Sequence, residues 1–301
     1  LIWDVDISRV NEFHKMNGSS ITLLTHISSH PFDSDLIIES KSKEIKKFLC
    51  KPHTGNDIDS VFLGNAGISI INKKLLEIYH PPDQPISLFK YLSNLNKKNN
   101  IRIFSYNTSE FIKDIGTPDR FTKTEKLLET QGIKKYSYSK RQKALFLDRD
   151  GTIIQCPEKK YILKKEEIKY NLKVINFIKT IIEEYTLCLI VTNQPQIAMG
   201  LVSFDKVSEI NGKIINDLYA LGIKIDLATL CPHHPHSGFV GEENTLKTQC
   251  FCRKPEPGLI IAESLRRNID LKNSLFIGDT LNDQIASSKA GCKFLNVSEI
   301  N

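Results

Sequence analysis

The chain has 301 residues, a net charge of +6, 40% hydrophobic and 25% charged residues. That length suits two ordinary domains with a core each, and the composition excludes a disordered or collagen-like chain. Lys and Arg are scattered, which predicts a solvated surface and no nucleic-acid partner, and no apolar run approaches the roughly 18 residues of a membrane span.

In chain order, Ile21-Thr22-Leu23-Leu24, Leu36-Ile37-Ile38 and Ile101-Arg102-Ile103-Phe104 read as strands. Residues 87–95 have apolar positions at helical spacing. Mixed α/β is what this periodicity supports. Several strings carry more: Asp4-Val5-Asp6 with Phe13-His14, Pro31-Phe32-Asp33-Ser34-Asp35, Lys51-Pro52-His53, Gly64-Asn65-Ala66-Gly67-Ile68 and Lys113-Asp114-Ile115-Gly116-Thr117-Pro118. In this order they resemble the later half of a sugar-1-phosphate nucleotidyltransferase of the mannose- or heptose-phosphate guanylyltransferase type. The resemblance implies a metal-ligand role for Asp114 and a sugar-facing role for Lys51, with Cys50 standing where such enzymes often carry Glu. Those enzymes open on a Gly-rich loop that cradles a triphosphate, and no G-G-x-G-T-R string occurs here. Nucleotide transfer is therefore not expected of this chain as it stands. Residues 1–129 are read as a partial domain of that type, either the remnant of a truncated bifunctional protein or a packing module. The start at Leu1, without Met, fits a piece of something longer.

Residues 130–143 are polar and aperiodic, with Lys134, Lys135, Lys140, Arg141 and Lys143. They read as a solvated linker before a second domain over 144–301.

Ala144-Leu145-Phe146-Leu147 reads as a buried strand that stops at Asp148-Arg149-Asp150-Gly151-Thr152. If strand geometry persists through Asp150, the two acids share one face, because side chains alternate. Carboxylates that close need a divalent cation, a shared proton or solvent between them. Asp148, ionised at neutral pH, would be a nucleophile needing no base. Asp150 could pass a proton to a leaving oxygen and later take one from water.

A strand–helix alternation follows: helix over 172–184, strand 186–191 ending in Thr192-Asn193-Gln194, helix 205–220, strand near 225–230, helix 258–267, and strand Leu275-Phe276-Ile277 ending in Gly278-Asp279. This argues for a Rossmann-like, doubly wound parallel sheet, whose ligands bind beyond the strands' carboxyl ends. Thr192, with Asn193, sits where a hydroxyl and backbone N–H groups could bind the oxygens of a phosphoryl group, and Asn193 and Gln194 are expected to bind substrate. Lys254 could neutralise phosphoryl charge, and Arg253 could hold a second anionic group by its fork. Asp279 and Asp283 add two more acids at a strand end, and Asp283 reads as orienting Lys254 or a metal-bound water.

Cys231-x-His233 and Cys250-x-Cys252 supply three thiolates and an imidazole, a closed set suited to structural zinc, with His234 and His236 as weaker substitutes for His233. Seven cysteines, an odd number, argue for a reducing compartment, and the cytoplasm is expected.

The Asp148-Arg149-Asp150-Gly151-Thr152 string resembles the first motif of the haloacid dehalogenase superfamily of phosphatases. With V-T-N-Q at 191–194, the C-x-H…C-x-C loop, C-R-K-P-x-P-G at 252–258 and G-D-T-L-N-D at 278–283, residues 144–297 closely resemble D-glycero-D-manno-heptose 1,7-bisphosphate 7-phosphatases. They also resemble the histidinol-phosphate phosphatases of the same branch. The run His233-His234-Pro235-His236-Ser237-Gly238-Phe239 is more similar to the heptose enzymes, especially those fused to a heptose-phosphate nucleotidyltransferase. The resemblance implies Mg²⁺ on Asp148, the Asp150 backbone carbonyl and Asp279, with Thr192 and Lys254 on the phosphoryl oxygens. It implies removal of the C7 phosphate through an aspartyl-phosphate, with Arg253 on the C1 phosphate. Histidinol phosphate, for a phosphatase of that kind, is the alternative substrate. Pro195-Gln196, Met199 and Thr280 depart from the pattern at positions expected to touch substrate, not at the reacting groups.

Overall fold

The computed structural model describes residues 1–28, 34–40, 42–51, 53, 63–80, 82–98, 100–129, 133, 136–156 and 161–300. Pro31, Phe32, Asp33 and Pro52 of the N-terminal strings, and residues 130–132, Lys134 and Lys135 of the expected linker, lie outside them. The chain divides into two compact units, Leu1–Ser137 and Tyr138–Asn301. Both are α/β.

In the first unit, β1 (Ile2–Asp4) pairs antiparallel with β7 (Phe111–Lys113). A second sheet has the order β4-β3-β5-β2-β6, from β2 (Ile21–Ile27), β3 (Leu36–Glu39), β4 (Ile45–Leu49), β5 (Leu63–Ile71) and β6 (Ile103–Asn107). Only its β2–β6 pair is parallel. Helix α1 (Ile7–Met16) starts where the Asp6 carboxylate accepts from the Ser8 and Arg9 amides, which satisfies donors a helix start leaves open. Between α2 (Lys73–Ile78) and α4 (Pro118–Glu129), α3 (Leu88–Leu95) is capped by Ser87 and buries Phe89, Tyr91, Leu92 and Leu95, the residues that gave its helical spacing.

The second unit runs β8 (Ala144–Leu147), α5 (Leu172–Ile181), β9 (Leu187–Asn193), α6 (Phe204–Ala220), β10 (Leu227–Cys231), α7 (Gly258–Arg267), β11 (Leu275–Gly278), α8 (Leu281–Ala290) and β12 (Lys293–Asn296). Its five strands are all parallel, in the order β10-β9-β8-β11-β12. Central β8 is covered on both faces, and all four of its side chains are buried, as a continuous apolar run in a parallel sheet requires. Burying each large one contributes on the order of 2 kcal/mol. The chain leaves β8 toward β9 and leaves β11 toward β12, in opposite directions. The switch point of the sheet therefore lies between the carboxyl ends of β8 and β11, where such sheets bind ligands.

Residues 138–143 belong to this unit rather than to a solvated linker. Tyr138 is buried and its hydroxyl receives Arg267 Nη1 at 2.6 Å, while the Gln142 amide donates to the Asn268 carbonyl at 2.9 Å. Their polar composition hid those partners. Strand β9 also runs further than its apolar stretch, taking in Thr192 and Asn193 because β10 pairs with them through Leu230 and Cys231. Among the described residues no helix is long and apolar enough to cross a membrane.

Candidate active site

Four side chains converge at the switch point. Asp148 follows β8, Asp279 follows β11, Asp283 sits in the first turn of α8, and Lys254 comes from the loop before α7. The carboxylate oxygens of Asp148, Asp279 and Asp283 lie within 4.8 Å of one another. Lys254 Nζ contacts Asp148 Oδ1, lies 2.6 Å from Asp283 Oδ1, and donates to the Val191 carbonyl at 2.9 Å. Its three N–H groups are thus all engaged.

Local structure explains the placement. Gly151 has φ +89°, and a Cβ there would lie 2.2 Å from Asp279 Oδ2. Only glycine lets the turn after β8 close on the acid after β11. Thr280 and Asp283 form a capping box: Asp283 Oδ2 accepts from the Thr280 amide at 3.0 Å and hydroxyl at 2.6 Å. The cap of α8 thereby aims the other oxygen of Asp283 at Lys254.

Burial, reinforced by Asp283 and Asp150, outweighs Lys254 and pushes Asp148 up to about 7. Burial, then Asp283, raises Asp279 as well. Burial works against the Lys254 ammonium, yet Asp148 and Asp283 hold its pKa above the usual lysine value. A nucleophilic carboxylate has to be ionised. Three crowded acids with one ammonium favour a further cation, and an all-oxygen donor set suits a hard divalent ion such as Mg²⁺.

Strand alternation is not what places Asp148 relative to Asp150. Strand β8 ends at Leu147, so alternation stops before either acid. Asp150 turns to Arg149, whose Nε lies 3.0 Å from Oδ2 and whose Nη2 lies 2.9 Å from either oxygen, and to Gln194 Nε2 at 2.6 Å from Oδ2. The acid that joins Asp148 and Asp279 is Asp283, while Asp150 can reach a metal only through its backbone.

Gln194 differs from its expected substrate-facing role. It is fully buried, and its amide is filled by Asp150, Thr192 Oγ1, Arg149 and Gln196. Asn193 is turned to Lys254: Nδ2 donates to the Lys254 carbonyl at 2.9 Å and Oδ1 accepts the Lys254 amide at 3.0 Å. Both amides position catalytic candidates instead of facing outward. Thr192 Oγ1 accepts from Gln194 at 2.8 Å, which leaves its O–H to donate. Arg253 Nη1 donates to the His233 carbonyl at 3.1 Å, tying the guanidinium to the Cys/His loop.

That loop gathers Cys231, His233, Cys250 and Cys252 within 4.8 Å. Cys252 Sγ lies 3.3 Å from Cys231 and from Cys250, and 3.2 Å from His233 Nδ1. Cys231 lies 3.5 Å from both Cys250 and His233 Nδ1. A zinc tetrahedron with bonds of about 2.3 Å to sulfur has edges of about 3.8 Å, so these four atoms need open by only a few tenths of an ångström. Hydrogen bonds from Cys231 first, then Cys250 and His233, against burial, hold Cys252 down to about 5. One thiolate is thus already favoured. His234 and His236 bond to each other outside this set.

In the first unit Asp114 is held by Arg120 Nη1 at 2.6 Å and the Gly116 amide at 3.0 Å, and among the described residues it joins no metal-ligating group. The Lys51 amide donates to Asp35.

Arg149 and Asn211 escaped the sequence reading. Arg149 is wholly buried against Asp150, and its Nη1 lies 2.8 Å from Asn211 Oδ1. A polar residue on the otherwise apolar buried face of α6, with Val207, Ile210, Ile214 and Ile215, was the available signal.

Residues 143–294 match the family model described as polynucleotide kinase 3 phosphatase. A D-glycero-alpha-D-manno-heptose-1,7-bisphosphate 7-phosphatase of Photorhabdus laumondii is 38% identical over 149 residues, 50% of this chain and 78% of the relative. A D-glycero-beta-D-manno-heptose-1,7-bisphosphate 7-phosphatase of the same organism is 32% identical over 154 residues, 50% of this chain and 79% of the relative. Among solved structures, a D,D-heptose 1,7-bisphosphate phosphatase from B. bronchiseptica, complexed with magnesium and phosphate, is 28% identical with a TM-score of 0.43, covering 50% of this chain and 78% of that one.

Proposed function

Because the chain belongs, through residues 143–294, to the polynucleotide kinase 3 phosphatase family of haloacid dehalogenase-like phosphatases, we propose that it removes the C7 phosphate from D-glycero-D-manno-heptose 1,7-bisphosphate. The observation that carries the chemistry is Asp148, buried at the switch point against Lys254 and Asp283. The heptose substrate rests on the relatives' names, which include both anomers. It rests also on Arg253, which would take the C1 phosphate.

In this reading an Asp148 oxygen attacks phosphorus as the bond to the sugar C7 oxygen breaks, and that oxygen takes a proton from Asp150. Water then gives a proton to Asp150, bonds to phosphorus and releases phosphate, restoring Asp148. Lys254 and the Thr192 hydroxyl stabilise the phosphoryl oxygens, with Asn193 holding the Lys254 backbone and Asp283 its ammonium. Mg²⁺, held by Asp148, Asp279 and the Asp150 carbonyl, would supply charge neutralisation at the phosphoryl group. The partial nucleotidyltransferase-like reading of residues 1–129 is likewise a proposal, as is a cytoplasmic location.

The test is Mg²⁺-dependent phosphate release from both heptose 1,7-bisphosphate anomers, histidinol phosphate and a 3′-phosphorylated oligonucleotide. A heptose anomer is expected to be turned over with the highest kcat/KM. Faster release from either of the other two substrates would overturn the substrate while leaving the chemistry.

Zinc in the Cys/His set would pin the loop that carries Arg253 and Lys254. Cys252→Ser is expected to remove about one equivalent of bound zinc, lower the melting temperature by several degrees, and raise KM more than it lowers kcat. Purified protein without zinc, together with unchanged melting of the variant, would refute this role.

A further inference from the structure

Arg149 stands out among the buried charges of the second unit. Its guanidinium is fully buried, although taking an ion out of water costs several kcal/mol, and an apolar residue of similar volume commonly serves stability as well. What it does instead is hold the neighbouring residue. Nε and Nη2 fork the Asp150 carboxylate, Nη2 also reaches Gln194 Oε1 at 2.7 Å, and Nη1 reaches Asn211 Oδ1 at 2.8 Å. Gln194 Nε2 closes the ring on Asp150 Oδ2. The guanidinium is thus tethered to Gln194, the residue after β9, and to Asn211 of α6. Asp150 Oδ2 accepts from Arg149 Nε and Gln194 Nε2 and lies 2.9 Å from Arg149 Nη2, whereas among the described residues its Oδ1 accepts only Arg149 Nη2. The carboxylate side chain keeps 22% exposure while that of Arg149 has none.

We propose that Arg149 is a positioning residue: tethered by Asn211 and Gln194, its guanidinium clamps Asp150 so that Oδ1 alone is left to exchange a proton with the leaving oxygen. The inference rests on the phosphatase reading and deepens it. Oδ1–H passes its proton to the oxygen released from phosphorus, Asp150 is left as a carboxylate within the fork, and Oδ1 takes a proton back from the attacking water. Lysine at 149 would keep the charge and lose the fork, because an ammonium cannot meet a carboxylate with two parallel N–H groups.

The test separates proton delivery from general damage by the leaving group. An alkyl phosphate needs its leaving oxygen protonated, and p-nitrophenyl phosphate does not. In single-turnover experiments Arg149→Met and Arg149→Lys are each expected to slow phosphate-ester cleavage of the alkyl ester by about 10²-fold, the low end of general-acid contributions. The first burst of nitrophenolate should change less than threefold. Asn211→Ala should give the same split, smaller in size, and serves as the readout if Arg149→Met does not fold. Equal losses on both esters, or none on either, overturn the clamp while the phosphatase reading stands. A wild-type chain that cleaves neither ester overturns both.

Discussion

Asp148→Asn is expected to reduce phosphate release by at least about 10⁴-fold, the scale on which hydrolases lose turnover with their nucleophile. The substitution is nearly isosteric. It removes the attacking oxygen and also one of the three acids crowded at the switch point, so the fold gains relief from repulsion as it loses the Lys254 ion pair. Melting should therefore move by no more than a few degrees, and the zinc content should stay unchanged because the Cys/His set shares no residue with this one. Phosphate release within tenfold of wild type would sink Asp148 as the nucleophile. A variant that loses zinc or unfolds would instead show that the acid cluster is chiefly a structural element. The 10⁴-fold loss corresponds to about 5.4 kcal/mol of transition-state stabilisation, which no single hydrogen bond at this site supplies.

How much of this was legible in the sequence depends on which level of structure a feature belongs to. The sheet was legible because each parallel strand is a short apolar run that must be covered on both faces, and each run ends in polar residues at a carboxyl end. Asp148 and Asp279 follow such ends and meet through strand order, while Lys254 comes from the loop before α7 and Asp283 from the first turn of α8. Side-chain direction past a strand end was not legible. The alternation argument for Asp150 needed three more extended residues than β8 has, and two amides expected to bind substrate, Asn193 and Gln194, are turned inward by tertiary partners. The Arg149 fork was hidden for the same reason: its partners come from positions 150, 194 and 211, and only the fold joins them. The Cys/His loop was easier, since three thiols and an imidazole in two tight pairs form a ready tetrahedral metal set.

Lys254→Met is expected to be costlier to the fold than Asp148→Asn and as damaging to turnover. The methylene stem is replaced almost atom for atom, but two buried carboxylates lose their shared ammonium. Breaking a buried pair from one side costs about 3–5 kcal/mol. The cost must also depend on pH, with a sign that can be worked out. Burial, with Asp283 and Asp150, already holds Asp148 up to about 7 against the pull of Lys254, and removing that pull raises it further. A carboxylate whose folded pKa lies above its unfolded value of about 3.9 favours the folded state most at low pH. Its contribution is fully present below that unfolded value and is lost as pH rises through the folded one. In EDTA the gap between variant and wild type should thus stay flat at acid pH and widen only as pH rises through about 7, where wild-type Asp148 ionises and the variant's does not. Chemical denaturation at a series of pH values reads this directly. A gap between variant and wild type that narrows as pH rises would show that Lys254 does not face an ionisable Asp148. Lys254→Arg is the natural companion: it keeps the charge, but its planar fork cannot direct three N–H groups to Asp148, Asp283 and the Val191 carbonyl at once. It should recover most of the stability and little of the turnover, separating the ammonium's role in the fold from its role at the phosphoryl group.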